Sequence, residues 1–407
     1  MIGPYNKFER ESSSRKANFI DFTTDFPAPE NIPREFLAEC SKRLFVETKA
    51  SFFYKGDKTS YESLKISLAN FIQSQQNSGA GKINSAELCI SPSYEHSILA
   101  ILNTFFTKRD AVLVEEPTSS DFLRLCKHMD FKFTKIKILK DGLDMDSLKE
   151  KLKFGLRPKA MFTIPTFQNP FGSVLQTDKR KELIALAEKY KFIIIADESF
   201  SFLKFNDVTI PNSMSIFSST EVISINSLKY VLGDVCSICW IHSCKENIER
   251  LYKNVDELAY AGNQLKCGLV HAAITSFDWN DILSDIRTNI HEKAMSFVSS
   301  QVTFIPEAVL SANPRGGAFV CINLPGIDNA ATFSKFALES FSLKLEPTFS
   351  YSGDASQDRF KFSFIHLSTK QIGEGIERLA YAYREYLERK TNVTNIRFVS
   401  PKYEIKN

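Results

Sequence analysis

From about residue 86 to residue 197, the chain alternates between short apolar runs and segments with helical periodicity. The runs ELCIS, AVLVEEP, FKFTKIKI, KAMFTIP and FIIIAD have the length and composition of strands. The segments between them, such as YEHSILAILNTFF and DMDSLKEKLKF, predict helices. Strands and helices in regular alternation favour right-handed crossovers and a mainly parallel sheet that helices cover on both faces. The pattern therefore predicts an α/β fold.

The segment TDKRKELIALAEKYK is the clearest helix in this part of the chain. Leu183, Ile184, Ala187 and Tyr190 fall on one helical face, and Thr177 or Asp178 is expected to cap the start.

The order of elements changes after residue 245. Two long helical stretches, 246–262 and 281–300, follow with no strand signal between them. From about residue 302, strands in AFVCINLP and RFKFSFIHL mix with helices in an α+β order, which is typical of a separate smaller domain. We therefore predict an N-terminal segment (1–48) that packs with the small domain, a large α/β domain (49–292) and a small C-terminal domain (293–407).

Composition excludes several classes of protein. The 407 residues are 43% hydrophobic, and 51 basic against 48 acidic residues give a net charge of only +3. Such a balance produces no positive field for nucleic acid or an anionic membrane surface. The charged N-terminus lacks the apolar core of a signal peptide, and the eight cysteines lie mostly in apolar segments. We expect a cytoplasmic protein with no nucleic-acid or membrane partner.

Three polar residues follow successive predicted strands. Asn169 lies in the turn of FTIPTFQNPFG, Asp197 ends FIIIAD, and Lys229 follows VISINSL. In an open α/β sheet, ligands bind beyond the carboxyl ends of the strands. An amine, a carboxylate and an amide at one crevice match the needs of pyridoxal phosphate: a Schiff base, a partner for the pyridine nitrogen and a donor to the phenolate oxygen. Each residue alone has an ordinary structural explanation, but the three together favour this site.

The sequence around these residues resembles the class I and II aminotransferases of pyridoxal phosphate fold type I. The stretch from PKAMFTIPTFQNPFG to IIIADESFSFLKF carries the resemblance, and NPRGGAFVCINLPG resembles the opening of the small domain. The nearest branch contains the 2-aminoadipate and kynurenine aminotransferases. The resemblance spans most of the chain and implies an α/β large domain with a smaller α+β domain.

The resemblance implies a homodimeric aminotransferase that exchanges an amino group between an α-amino acid and a 2-oxo acid with pyridoxal 5'-phosphate as cofactor. It gives Lys229 and Asp197 the catalytic roles and Asn169 the contact to the ring. Lys361 falls where the family keeps the arginine that holds the substrate α-carboxylate. The other cofactor-binding positions that it implies are Tyr54, from the partner subunit, with Ser93, Tyr94, Asn226 and Ser237.

The chain departs from the family pattern around the phosphate. The usual two serines before the lysine are Asn226 and Leu228, and the following arginine is Cys236 or Ser237. The helix start reads SYE (93–95), where Glu95 brings an unfavourable negative charge. The aromatic residue that stacks on the ring is Ser119, and a tyrosine after the aspartate is Phe200. We expect these changes to weaken cofactor affinity.

Two alternatives follow. The same lysine chemistry serves lyases, decarboxylases and oxidases, and loss of tight cofactor binding would leave a scaffold protein. Regulators that carry a winged helix before an aminotransferase-like domain are disfavoured, because about 45 residues precede the matching region. A zinc site at Cys236-x-x-Cys239 is also disfavoured, because strand positions three apart face opposite sides.

Overall fold

A computed structural model describes residues 19–49, 59–78, 80–217, 220–260, 264–348 and 358–397. Tyr54 lies outside this set. The described helices are α1 (Arg34–Glu47), α2 (Thr59–Ser74), α3 (Tyr94–Phe105), α4 (Ser120–Leu125), α5 (Met145–Lys153), α6 (Thr177–Tyr190), α7 (Lys229–Leu232), α8 (Lys245–Tyr260), α9 (Gln264–Ile274), α10 (Trp279–Phe304), α11 (Ala330–Phe341) and α12 (Thr369–Arg397).

The described strands form three sheets. They are β1 (Ile20–Asp21), β2 (Leu88–Ser91), β3 (Ala111–Glu116), β4 (Lys132–Leu139), β5 (Gly142–Leu143), β6 (Ala160–Thr163), β7 (Ile193–Asp197), β8 (Val222–Ser227), β9 (Cys239–Ser243), β10 (Val309–Leu310), β11 (Phe319–Asn323), β12 (Leu343–Lys344), β13 (Glu346–Pro347) and β14 (Arg359–Ser363).

The largest sheet has eight strands in the order β2-β9-β8-β7-β6-β3-β4-β5. The five strands from β8 to β4 in this order run parallel, while β2, β9 and β5 pair antiparallel at the two sides. This sheet confirms the predicted α/β fold. It also places the carboxyl ends of β8, β7, β6 and β3 side by side on one edge.

The central strands are apolar along their whole length because helices cover both faces of the sheet. Successive residues of a strand point to opposite faces, and the packing follows this alternation. Ile194 packs in one cluster with Leu183 of α6, whereas Ile195 packs in another with Ile98 of α3. The apolar residues of β7 therefore contribute to the hydrophobic cores on both faces of the sheet.

The C-terminal part builds a second, antiparallel sheet in the order β10-β11-β14-β13. The N-terminal strand β1 pairs parallel with β12 of the same part, so the segment after residue 19 runs alongside this sheet. The boundaries at 48 and 292 stay a prediction. None of the helices in the described ranges has the length and apolar character that a membrane crossing requires.

Two local expectations were wrong. Helix α9 lies between the two long helices, where no further helix was predicted. Its buried residues are spread around the helix and it packs against α1 and α2, so no amphipathic period marks it. Helix α6 begins at Thr177, and its N-cap is Gln176, which donates a side-chain hydrogen bond to the Val174 carbonyl.

His242 of β9 adds a pH dependence to the stability of this sheet. Its ring is 4% exposed, and Nδ1 lies 2.7 Å from the Ser215 hydroxyl. Burial lowers the pKa of His242 from 6.5 to about 4, since the imidazolium would be poorly solvated there. The unfolded chain therefore binds a proton in this range that the folded chain does not, and stability is lost as the pH falls from 6.5 toward 4.

We predict that the His242→Asn variant loses less stability on acidification than the wild type. The asparagine keeps an acceptor for Ser215 but does not titrate in this range. The lowered pKa corresponds to about 3 kcal/mol of unfolding free energy. Urea unfolding at pH 7 and pH 4.5 measures the difference, and an equal loss in both proteins would contradict the assignment.

Candidate active site

Asn169, Asp197 and Lys229 lie at the same edge of the large sheet. Asp197 is the last residue of β7, and Lys229 begins α7 directly after β8. Asn169 lies in the turn that follows β6, the next strand in the sheet. Because β6, β7 and β8 run parallel, their carboxyl ends meet at one crevice. The structure thus brings the three predicted residues to a common edge.

The Lys229 ammonium lies among aromatic rings. Its Nζ is 4.9 Å from the ring centre of Tyr230, 5.3 Å from that of Tyr94 and 5.6 Å from that of Phe26. Ring faces attract a cation at these distances. Burial alone lowers the pKa of Lys229, but Tyr230, Cys239 and the Asp197 carboxylate favour the ammonium more, so the pKa lies above its ordinary value.

Asp197 is held by the backbone of the turn that follows it. It is 5% exposed, and its Oδ1 accepts a hydrogen bond from the Ser199 N–H at 3.0 Å. The next residue, Glu198, forms a buried ion pair with Arg180 at 3.4 Å and accepts the Met214 N–H. These contacts fix the direction of the chain at the end of β7 and so fix the position of the Asp197 carboxylate.

A second buried network fixes the turn that carries Asn169. Glu115 of β3 accepts hydrogen bonds from the Thr163 hydroxyl, the Ile164 N–H and the Gln168 amide, at 2.5, 3.0 and 3.0 Å. Burial raises the pKa of Glu115 to about 7 although these donors favour the carboxylate. The network joins the ends of β3 and β6, so Asn169, the neighbour of Gln168, has a defined position.

Three polar atoms around this edge are buried without a hydrogen-bond partner among the described residues. They are Thr118 Oγ1, Asn169 Oδ1 and Ser199 Oγ. Buried polar atoms in native proteins are nearly always paired. A cluster of unpaired atoms beside an amine and a carboxylate therefore indicates a polar ligand site.

The predicted phosphate-binding residues are largely engaged within the protein. The Ser93 hydroxyl caps α3 by accepting the His96 N–H at 3.2 Å, and the Ser237 hydroxyl donates to the Ile238 carbonyl at 3.2 Å. Asn226 accepts a hydrogen bond from Ser201 and lines a cavity with Arg287. Glu95, expected to oppose a phosphate, is exposed. The start of α3 still presents N–H groups near the strand ends, which is an arrangement suited to an anion.

Lys361, the predicted carboxylate clamp, lies on β14 and is buried. Its Nζ is 2.5 Å from Asp25 Oδ2 and 3.4 Å from Glu346 Oε2. The structure thus pairs this lysine with two carboxylates of the chain itself.

Sequence reasoning missed three residues at the site. Tyr230 follows Lys229 directly, and its ring stacks on Phe200 with centres 4.5 Å apart. Burial raises the pKa of Tyr230, and the charges of Asp25 and Asp197 add to this, while Lys229 opposes it. An aromatic residue next to the lysine was a visible signal for Tyr230. Asp25 and Phe26 come from a distant N-terminal segment and had no such signal.

Comparisons with known proteins agree with this geometry. The family model "Aminotransferase class I and II" matches residues 33–228. This chain is similar to that family over the matched range. An aromatic-amino-acid aminotransferase of Thermococcus litoralis is 24% identical over 92% of this chain and 90% of its own length. A 2-aminoadipate transaminase of Thermus thermophilus is 22% identical over 92% of each chain.

Solved structures show the same fold. The α-aminoadipate aminotransferase LysN of Thermus thermophilus, complexed with a phosphopyridoxyl-leucine, superposes with a TM-score of 0.81 at 23% identity, covering 91% of this chain and 93% of its own. A multiple substrate aminotransferase of Thermococcus profundus gives 0.84 at 21% identity, covering 96% and 97%. These are fold type I enzymes, so that predicted fold is confirmed.

The residues at this edge fit pyridoxal phosphate, the cofactor that the resemblance to this family implies. Lys229 would hold its aldehyde carbon, Asp197 its ring nitrogen and Asn169 its phenolate oxygen. The unpaired atoms of Thr118 and Ser199 supply further hydrogen-bonding capacity at the strand ends.

Tyr94 competes with a ligand for this space. The residue is 5% exposed, and its ring centre lies 5.3 Å from Lys229 Nζ. Burial raises the pKa of the Tyr94 hydroxyl, and the negative charge of Asp197 adds to this. The phenol thus lies near both the amine and the carboxylate, the two groups that a pyridine ring must bridge. A pyridine ring placed between the two groups would displace the Tyr94 side chain.

We predict that the Tyr94→Ala variant of this aminotransferase binds pyridoxal phosphate about tenfold more tightly than the wild type, because the cofactor no longer displaces a buried ring. Titration of the visible absorbance with pyridoxal phosphate gives the dissociation constant. Ile98→Ala, one turn later in α3, is the control for loosening the helix. Weaker binding by Tyr94→Ala alone would mean that the ring supports the cofactor rather than blocking it.

Proposed function

We propose that the protein is a pyridoxal phosphate-dependent aminotransferase that moves an amino group from an amino acid to a 2-oxo acid. The observation that carries this proposal is the placement of Lys229, Asp197 and Asn169 at the ends of three adjacent parallel strands. The match of residues 33–228 to the class I and II aminotransferase model supports it.

Each residue has a distinct task in the proposed reaction. The bound cofactor supplies an electron sink for the carbon that carries the amino group. Lys229, once displaced by the substrate amine, takes the proton from that carbon and returns it at a different atom. With the cofactor bound, the Asp197 carboxylate would keep a proton on the ring nitrogen, and the Asn169 amide would donate to the phenolate oxygen.

The environment of Lys229 suits a base that must hold its position. Ring faces of Tyr94, Tyr230 and Phe26 surround Nζ, so aromatic contacts confine the amine. The Tyr230 hydroxyl contributes to the raised pKa of Lys229. We propose Tyr230 as a positioning residue that takes over part of the task of the tyrosine that is Phe200 here.

The proposal also covers the oligomeric state and the cellular location of the protein. We propose a homodimer in the cytoplasm, with the domain limits predicted from the sequence and with Tyr54 reaching the phosphate of the other subunit. Support comes from the match to the class I and II aminotransferase model and from cysteines placed in apolar segments. Sedimentation equilibrium measures the mass of the assembly against the 46.2 kDa chain.

We predict that Lys229→Ala abolishes covalent attachment of pyridoxal phosphate, because the amine that bonds to the cofactor is gone. Borohydride reduction followed by mass spectrometry detects the attachment. Lys204→Ala is the matched control. Lys204 is also half-buried, and its ammonium donates a hydrogen bond to the Val208 carbonyl. Attachment that persists in Lys229→Ala would refute the role of this lysine. Failure of the wild type to bind the cofactor would favour a scaffold protein.

We predict that Asp197→Asn lowers the rate of amino transfer by about 10²- to 10³-fold while leaving the covalent attachment at Lys229 intact. The amide does not hold a proton on the ring nitrogen, but it keeps the size and the Ser199 hydrogen bond. Single-turnover rates with the loaded protein test the first part, and borohydride trapping tests the second. An unchanged rate would remove Asp197 from the mechanism.

A further inference from the structure

A polar cavity of about 70 Å³ lies against the large sheet, and Asn226 of β8 and His242 of β9 line it. Ile225, the neighbour of Asn226 in β8, packs in the hydrophobic cluster around α3. Successive residues of a strand point to opposite faces, so Asn226 lies on the face away from α3. Tyr94, which contacts the Lys229 ammonium, belongs to α3. The sheet therefore separates this cavity from the α3 side of the candidate active site.

Two basic side chains line the cavity. Arg287 of α10 donates from Nε to the Phe202 carbonyl at 3.0 Å and from Nη2 to Gln75 Oε1 at 2.9 Å. Lys204 donates to the Val208 carbonyl at 3.1 Å. In the part of the chain that the structure describes, neither basic group forms an ion pair with a carboxylate. Both positive charges are thus left without a counter-charge in direct contact.

The charges around the cavity leave it positive. Burial lowers the pKa of Arg287 and of Lys204, and the charge of Arg287 lowers the pKa of Lys204 further, against a smaller effect of Asp207. Glu198 also lines the cavity, but it is already paired with Arg180 at 3.4 Å. An anion that enters would therefore reduce the repulsion between two cations.

The amide side chains of the wall present hydrogen-bond donors. Gln76 Oε1 accepts the Ser213 N–H at 3.2 Å, and Asn212 Oδ1 accepts the Asn77 N–H at 2.7 Å. Only the oxygen of a carboxamide accepts such a bond, so Gln76 and Asn212 each keep an NH2 group for another partner. Within the described ranges, neither NH2 group has an acceptor. Gln76 and Asn212 both line the cavity, so its wall is rich in donors.

Two further donors are buried in the same face of the sheet. Ser224 Oγ and Trp240 Nε1 have no hydrogen-bond partner among the residues with assigned positions. Ser224 lies opposite His242, and Trp240 lies opposite Asn226, in the pairing of β8 with β9. The Trp240 ring centre is 5.8 Å from that of Phe202, which lines the cavity. Buried polar atoms are nearly always paired in native proteins, so these two indicate an unassigned polar partner nearby.

We propose that this cavity binds a phosphate group at Arg287, with Lys204 supplying the second positive charge. A phosphate monoester carries about −1.5 to −2 charges at pH 7 and offers acceptor oxygens, which match the donors of the wall. A water molecule needs about 10–15 Å³ of such a cavity, so about 70 Å³ holds a group of roughly five atoms, the size of a phosphate. The inference does not depend on the proposed function.

Melting temperatures in sodium phosphate and in sodium chloride, at pH 7 and equal ionic strength, test this proposal. The protein is first loaded with pyridoxal phosphate and reduced with borohydride, so that the cofactor itself fills the candidate active site. Phosphate is expected to raise the melting temperature of this protein by about 2 °C or more over chloride. Arg287→Gln is expected to lose most of this increase, because a charge-assisted hydrogen bond is removed. Lys204→Gln is expected to do the same and serves where the Arg287 variant does not fold.

Arg157→Gln is the matched control. It also removes one positive charge, and Arg157 donates to the carbonyls of Leu152 and Leu156, away from the residues that line the cavity. This control is expected to keep the full increase. Any general stabilisation by phosphate salts is common to all four proteins, so the comparison between them removes it.

A second ligand distinguishes the source of the phosphate group. Glycerol 3-phosphate and inorganic phosphate share that group but differ in the attached carbon chain. A larger increase with the ester than with the free ion would support a phosphorylated metabolite as the ligand, and an equal or smaller increase would support inorganic phosphate. In either case the increase is expected to depend on Arg287.

Two results would overturn the inference. An equal increase in all four proteins would mean that phosphate acts only as a general salt. An increase in the unloaded protein that disappears once the cofactor is trapped would place the phosphate in the cofactor site. If the wild type does not take up pyridoxal phosphate, the proposed function fails, and the comparison of Arg287→Gln with Arg157→Gln in unloaded protein still decides whether the cavity binds phosphate.

Discussion

The parallel register of β6, β7 and β8 is the constraint on which the candidate site depends. Only parallel neighbours bring their carboxyl ends to one edge of a sheet. Asn169, Asp197 and Lys229 therefore share a crevice, although 28 and 32 residues separate them along the chain. That register follows from strands that are apolar on both faces and from helices that return the chain across the sheet. Two buried hydrogen-bond networks, at Glu115 and at Glu198, then fix the turns after the strands.

The parts of the molecule that local sequence encodes were predictable. Buried parallel strands have continuous apolar sequences, and a polar residue that follows such a run lies at the strand end. Asp197 and Lys229 were therefore identifiable from the sequence without knowledge of the packing. The α/β order followed from the same pattern. Helix α9 was not predictable because its buried positions follow no helical stripe.

Contacts between distant segments were not predictable in the same way. The family resemblance gave Lys361 the role of a carboxylate clamp. Only the fold shows that Lys361 is bonded to Asp25, 336 residues away in the chain. The direction of the Tyr94 ring likewise depends on how α3 meets the strand ends. A local pattern identifies which chemical groups are present, whereas the tertiary structure decides which of them are already paired.

Tyr94 and Asp25 share a physical consequence for binding. Tyr94 lies against the amine of the candidate site, Asp25 lies against Lys361, and each belongs to a segment that is packed in position. A ligand that must displace such a group binds only the fraction of molecules in which the group has moved. If that fraction is about 1%, the apparent dissociation constant is about a hundredfold weaker than the intrinsic one. A side chain that occupies a binding position in this way lowers the affinity of every ligand that needs that position. It leaves the affinity of other ligands unchanged. Selectivity in such a site therefore arises from the protein's own side chains as competitors, with no requirement for a new contact to the favoured ligand.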